Sequence, residues 1–196
     1  MLVDSNGMKV KEDKLSREES FVCQKFFTPK WRDVSNFCTQ IQCDNKDMVQ
    51  KIVVHVGTND FDDSEAIAIT GLMEENIELL KQSFPKAELT VCTIIPRRNN
   101  NRHEDIKLIN DFLQGSKKRW KIDILNLGPI TPKYLKDEKH LDNIGLHFLI
   151  TAMRYAFTGL LPFEGGNKRK RFSNGGGRCG SRYHQHHNRD KRDNGY

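Results

Sequence analysis

The chain has 196 residues and a mean hydropathy of −0.69, enough for one domain of about 150 residues and a tail. Its five cysteines (Cys23, Cys38, Cys43, Cys92, Cys179) are scattered, odd in number and free of any C-x-x-C pair, which argues against a disulfide scaffold or zinc site and for reduced thiols. The net charge of +6 is uneven: residues 165–196 hold nine Lys/Arg and two acids, whereas the body carries 23 basic and 24 acidic residues, so any affinity for nucleic acid belongs to the tail. No stretch approaches the roughly 20 apolar residues of a membrane span, and the N-terminus lacks a basic head and an apolar signal core; a cytoplasmic or nuclear protein is expected, with no membrane partner.

Taken in order, Met1-Leu2-Val3 is a short strand-like stub that runs into the turn-forming tetrad Asp4-Ser5-Asn6-Gly7. Lys9 to Ser20 is charged and poorly periodic, a loop with room for a helical turn. Phe21 to Phe27 favours a strand, bounded by Pro29. Val34, Phe37-Cys38 and Ile41 follow helical spacing over residues 31–43. Ile52, Val53, Val54 and Val56 form a buried strand, 51–56, that stops at Gly57-Thr58-Asn59-Asp60. Asp62-Asp63-Ser64-Glu65 reads as a helix start, with Ala66, Ile69, Met73, Ile77 and Leu80 as the apolar face of a helix that reaches Ser83. A second apolar strand, Leu89 to Ile95, is followed by the loop Pro96–Asn101 and a helix with Ile106, Ile109 and Leu113 on one face. Ile122 to Leu127 is a third apolar strand. A long loop then leads to a closing helix over 145–161. From Gly165 the chain is rich in Gly, Arg, His and Asn without periodicity, and a disordered segment is expected over 162–196.

Strands that alternate with helices predict an α/β domain over residues 1–161: a three-layer sandwich with a central parallel sheet, right-handed crossovers and a truncated first strand. In such a sheet the segments after the strands (4–7, 57–60, 96–101 and 128–142) share the carboxyl edge, where open α/β sheets bind ligands. That edge holds Ser5, Asn59 and the cluster Asp137-Glu138-Lys139-His140. A serine, a histidine, a carboxylate and an amide donor are the parts needed for acyl transfer. A carboxylate three residues before the histidine can orient the ring within one loop.

These residues make the chain resemble the SGNH/GDSL hydrolases, in particular divergent hydrolase-like members of the kind carried by mobile genetic elements; the flavodoxin-like fold follows from that resemblance. Val3-Asp4-Ser5 stands where the family has Gly-Asp-Ser, and the resemblance makes Ser5 the nucleophile. Gly57-Thr58-Asn59-Asp60 matches the Gly-x-Asn-Asp block in full, which makes Asn59 an oxyanion donor. Asp137-x-x-His140, with Leu141, Asp142 and Gly145 after it, resembles the block that supplies the base and its carboxylate partner. The family's second block offers a glycine N–H to the oxyanion hole, yet no glycine lies between Gly7 and Gly57. The implied function is a serine hydrolase acting on an ester or acyl substrate, with no metal and no organic cofactor.

Each assignment has a plainer competitor. Ser5 suits a simple turn, and Asn59 a cap before the helix that follows. His147 competes with His140 but falls inside the closing helix, while His55 lies within strand 51–56 and reads as a core histidine. Gly57, Thr58, Arg97 and Arg98 sit on the ligand edge, where the arginines suit either a solvated loop or an anionic substrate. In the tail, Lys168, Arg169, Lys170, Arg171, Arg178 and Arg182 suit RNA or DNA contact through phosphates, nuclear import, or neither; His184, His186 and His187 suit weak metal binding. The alternative function is therefore a catalytically inactive SGNH-like module with a nucleic-acid-binding tail.

Overall fold

The computed structural model describes residues 1–15, 23–41, 43–98 and 100–158. Five strands form one parallel sheet: β1 Leu2–Val3, β2 Phe26–Phe27, β3 Lys51–His55, β4 Glu88–Cys92 and β5 Asp123–Leu125, in the order β2-β1-β3-β4-β5. The register pairs Leu2 with Phe26 on one side and with Val54 on the other, and sets Val54 beside Val91. Four helices accompany the sheet: α1 Val34–Gln40, α2 Ala66–Ser83, α3 His103–Trp120 and α4 Asn143–Thr158.

Alternation along the strands builds two cores. Leu2, Ile52, Val54, Val91 and Ile124 point to one face and pack with Phe37 of α1, Ile69, Met73 and Ile77 of α2, and Ile109 and Leu113 of α3. Val3, Val53, Cys92 and Leu125 point to the other, against Leu149, Ala152 and Met153 of α4. The result is a three-layer sandwich with three helices on one face and α4 on the other.

Several elements are shorter than the apolar runs that announce them, and side chains explain why. The run 89–95 leaves the ladder at Cys92 because Asn110 of α3 takes over the backbone of Ile94: the Ile94 N–H donates to Asn110 Oδ1 at 2.8 Å, and Asn110 Nδ2 donates to the Ile94 carbonyl at 3.0 Å. Leu127 N–H likewise donates to Thr93 Oγ1 at 2.8 Å, beyond the end of β5. The expected helix over 31–43 is a 3₁₀ turn, Trp31–Asp33, that leads into α1 and stops at Gln40. The start of α2 falls at Ala66, four residues after the end of a 3₁₀ turn over Asp60–Asp62. Asp62 and Asp63 do not cap it, because their carboxylates pair instead with Arg97 and Lys139, and with Lys30 and Arg32. Two 3₁₀ turns, Gly7–Lys9 and Glu12–Lys14, occupy the loop after β1. Residues 16–22, 159–161 and the tail 162–196, with all the phosphate-contact candidates named above, lie outside the described residues.

Gly57 turns the chain out of β3 at φ +122°, in the left-handed region that side chains disfavour. A Cβ built there would lie 2.8 Å from Ile94 Cδ1 and 3.2 Å from Trp31 Nε1. Backbone strain and overpacking together predict that Gly57→Ala lowers stability by about 2–4 kcal/mol, read as a drop in urea midpoint at unchanged m-value.

Candidate active site

The turn after β1 is organised by Asp4. Its N–H extends the ladder by one bond to the His55 carbonyl (3.0 Å), and its buried Oδ1 accepts the N–H of Asn6 at 2.9 Å and of Gly7 at 3.2 Å. This Asx-type turn leaves Ser5 at its apex, half-buried, one residue beyond the end of the sheet. His55, buried on β3, brings Nδ1 to 3.2 Å from the same Oδ1, a close polar contact without the alignment of a good hydrogen bond. Burial alone would push the Asp4 carboxyl up; the His55 charge and the donors around it outweigh burial and hold it below its usual range.

The histidine sits in a small closed hairpin. Leu135 and Leu141 form an antiparallel bridge, and Lys136 N–H donates to the His140 carbonyl at 2.9 Å. Within it, Asp137 Oδ1 accepts the N–H of Lys139 (3.1 Å) and of His140 (2.8 Å). Both Asp137 oxygens also contact His140 Nδ1, at 3.0 and 2.9 Å. The two backbone N–H groups, with the ring behind them, hold the Asp137 carboxyl well below the usual carboxylate range, so it is ionised at any working pH. With Nδ1–H donated to this carboxylate, the basic lone pair of His140 lies on Nε2. His147 is exposed on α4.

Asn6 joins the two segments. The residue is 1% exposed; Nδ2 donates to the Lys139 carbonyl at 3.0 Å and Oδ1 accepts the Leu141 N–H at 2.9 Å. The amide therefore grips the backbone on both sides of His140. Sequence reading missed it: asparagine in a turn tetrad has a sufficient local explanation, and its partners lie more than 130 residues away. Among the described residues the Ser5 hydroxyl has no hydrogen-bond partner, His140 included.

Half-buried Asn59, after β3, donates Nδ2–H to the Pro29 carbonyl at 3.2 Å, which anchors the amide and leaves its second N–H unassigned. Residues 28–31 of the loop after β2 have no free backbone N–H. Thr28 N–H goes to the Val3 carbonyl (2.8 Å), Pro29 has none, Lys30 N–H goes to Asp33 Oδ2 (3.2 Å), and Trp31 N–H goes to the Asp60 carboxylate (3.1 and 3.2 Å). Ser5 N–H is without a partner among the described residues.

Asp60 is buried, and burial is the main reason its carboxyl is pushed up to about 7, against the opposing pull of Trp31 N–H and Lys30. A carboxyl whose folded pKa exceeds its unfolded value of 3.8 favours the folded state below that value, and the contribution is lost as pH rises through about 7. Asp60→Asn, which keeps an oxygen acceptor for Trp31 N–H, is therefore expected to remove a fall in stability between pH 5 and 8 that the natural chain shows, measured by urea unfolding at the two pH values.

Arg97 and Arg98 tie loops together. Buried Arg97 donates to the Thr58 carbonyl at 3.5 Å and to Asp62 Oδ1 at 3.0 Å, and Lys139 Nζ reaches Asp62 Oδ2 at 2.6 Å. Burial works against the Asp62 charge, but hydrogen bonds from Lys139 and Arg97 win and lower its pKa. Arg98 donates its backbone N–H to the Glu138 carbonyl at 2.9 Å and its guanidinium to the Leu135 carbonyl. The loops carrying Asn59 and His140 are thus cross-braced at the carboxyl edge. Gly145, at the start of α4, comes so close to the Tyr134 carbonyl that a Cβ would sit 2.7 Å from it.

Solved structures resemble this fold. A GDSL-like lipase from Bacteroides thetaiotaomicron superposes with a TM-score of 0.64 at 15% identity, over 82% of this chain and 87% of its own. A member of the lipolytic G-D-S-L family from Veillonella parvula gives 0.63 at 14% identity, over 80% and 96%. A carbohydrate esterase of family 3 from Talaromyces cellulolyticus gives 0.58 at 18% identity, over 74% and 75%. The chain therefore has the SGNH/GDSL hydrolase-like fold. The sequence matches no protein-family model and no curated protein. Among the described residues no helix is long and apolar enough to cross a membrane.

Proposed function

We propose that this protein is an SGNH-type serine hydrolase acting on an ester or other acyl substrate. The observation that carries the reading is the Asp137–His140 pair, oriented through Nδ1 and tied by Asn6 to the turn that bears Ser5. The similar structures, lipolytic proteins and a carbohydrate esterase, support it from the side of the fold. In the proposed reaction Ser5 Oγ attacks the substrate carbonyl as its proton passes to His140 Nε2. Asp137 stabilises the resulting imidazolium, and the N–H groups of Ser5 and Asn59 receive the oxyanion. Collapse of the intermediate breaks the acyl–oxygen bond, and the leaving alcohol takes the proton from His140. Water then repeats the sequence on the acyl-serine and frees the acid. Ser5 Oγ and His140 are not hydrogen-bonded in the structure, and the proposed reaction has that bond form when substrate binds, as catalytic hydrogen bonds commonly tighten then.

The test is covalent. An alkyl fluorophosphonate should phosphonylate Ser5 Oγ with loss of fluoride, seen by peptide mass, and Ser5→Ala should abolish the adduct. A chain that neither takes the label nor hydrolyses a short-chain nitrophenyl ester overturns the reading.

A second reading rests on the committed N–H groups of residues 28–31, which leave few oxyanion donors. It is a non-catalytic SGNH-like module whose basic tail, with Lys168, Arg169, Lys170, Arg171, Arg178 and Arg182, binds RNA or DNA. Its mark is an unlabelled Ser5 together with salt-dependent binding of single-stranded nucleic acid that disappears when residues 165–196 are removed.

A further inference from the structure

We infer that Asn6 is a positioning residue that sets the base against the nucleophile, an inference that rests on the serine-hydrolase reading. The hairpin 135–141 is closed on itself: its bridge, the Lys136–His140 bond and the Asp137 turn all lie inside it. Those bonds fix how the ring of His140 is held within the hairpin, and leave open where the hairpin sits relative to Ser5. Among the described residues, the two hydrogen bonds of Asn6 are the ones that join residues 4–8 to that hairpin. They land on the peptide groups immediately before and after His140, so one buried amide substitutes for a neighbouring strand at the residue whose position matters for proton transfer. The anchor is itself anchored, because Asn6 N–H donates to Asp4 Oδ1 and Asp4 N–H to the His55 carbonyl, which ties the amide to the central strand.

The chemistry asks for this. Proton transfer from Ser5 to His140 Nε2 needs the two atoms within hydrogen-bond reach in the bound complex, and misplacement by about 1 Å can lower the rate by about 10²-fold. Asp137 cannot supply that alignment, since it belongs to the same hairpin as the ring it orients. The Arg98 and Lys139 braces tie the hairpin to the loops that follow β4 and β3, and neither reaches residues 4–8.

A cycle of four full-length proteins tests the assignment: the natural chain, Asn6→Ala, His140→Ala and the double variant, assayed on nitrophenyl acetate beside Ser5→Ala. The expected result is a kcat about 10²-fold lower in Asn6→Ala with KM little changed, and no further loss when the same substitution is made on His140→Ala, because residues that act as a unit are non-additive. Equal losses in both backgrounds, or no loss at all, overturn the inference and leave the serine reading standing. Full activity in Ser5→Ala overturns the serine reading, and the inference with it. If Asn6→Ala does not fold, Asn6→Asp takes its place: it keeps an acceptor for Leu141 N–H but sets a carboxylate against the Lys139 carbonyl, and the same non-additivity is expected.

Discussion

Ser5→Ala is expected to lower nitrophenyl-ester turnover by about 10⁴–10⁶-fold without loss of stability, because nucleophile and base act as one unit and what remains is binding and oxyanion stabilisation alone. The stability side follows from the structure. The hydroxyl has no hydrogen-bond partner among the described residues and the residue is half-buried, so its removal leaves no orphaned group and should change unfolding free energy by less than about 0.5 kcal/mol. The turn that holds Ser5 is built from Asp4, Asn6 and Gly7, none of which the substitution touches. His140→Ala should give a loss of similar size, and Ser5→Ala with His140→Ala no more than either alone. The measurement is kcat/KM with thermal unfolding recorded on the same preparations. Ser5→Ala at natural activity would assign any hydrolysis to another site; a loss accompanied by a collapse in Tm would assign Ser5 to the fold.

The parts of this molecule that were legible in its sequence are those whose cause is local. Strand β3 announces itself through consecutive β-branched residues buried on both faces, and α2 and α3 through apolar residues at three- and four-residue steps. Asp137 and His140 were legible for the same reason: their contact is made inside one turn. What was not legible depends on partners far along the chain. Strand β4 stops early because of Asn110, sixteen residues beyond Ile94, and α2 starts late because Asp62 and Asp63 are drawn to cations on other loops. Asn6 belongs to this group, since nothing in Asp4-Ser5-Asn6-Gly7 names a partner at Lys139 or Leu141. Asp4 is similar: its place beside Ser5 was evident, but its pairing with His55 appears only when β1 lies alongside β3. The short first strand is held from both sides. Two residues hold their place because β1 is flanked on both sides, by β2 and β3, and Leu2 and Val3 are fully buried.

Asn59→Ala is expected to lower kcat by about 10²–10³-fold with KM nearly unchanged, the usual loss for one oxyanion donor. Its weight here comes from the loop after β2. Thr28, Lys30 and Trp31 all commit their backbone N–H groups to the protein, and Pro29 has none to give, so in the proposed mechanism the oxyanion falls to Ser5 N–H and the free N–H of Asn59. With two donors instead of three, removing one halves the hole, which places the expected loss toward the upper end of that range. Asn59 also bonds the Pro29 carbonyl, and losing that bond should cost about 0.5–1.5 kcal/mol of stability, small enough to leave the fold intact for assay. Asn59→Asp separates the two roles. It keeps the side-chain shape but has no N–H to donate at neutral pH, and its charge faces both the Pro29 carbonyl and the developing oxyanion; its kcat should fall at least as far as that of Asn59→Ala. An Asn59→Asp protein with natural kcat would show that the amide shapes the turn after β3 and takes no part in stabilising the transition state.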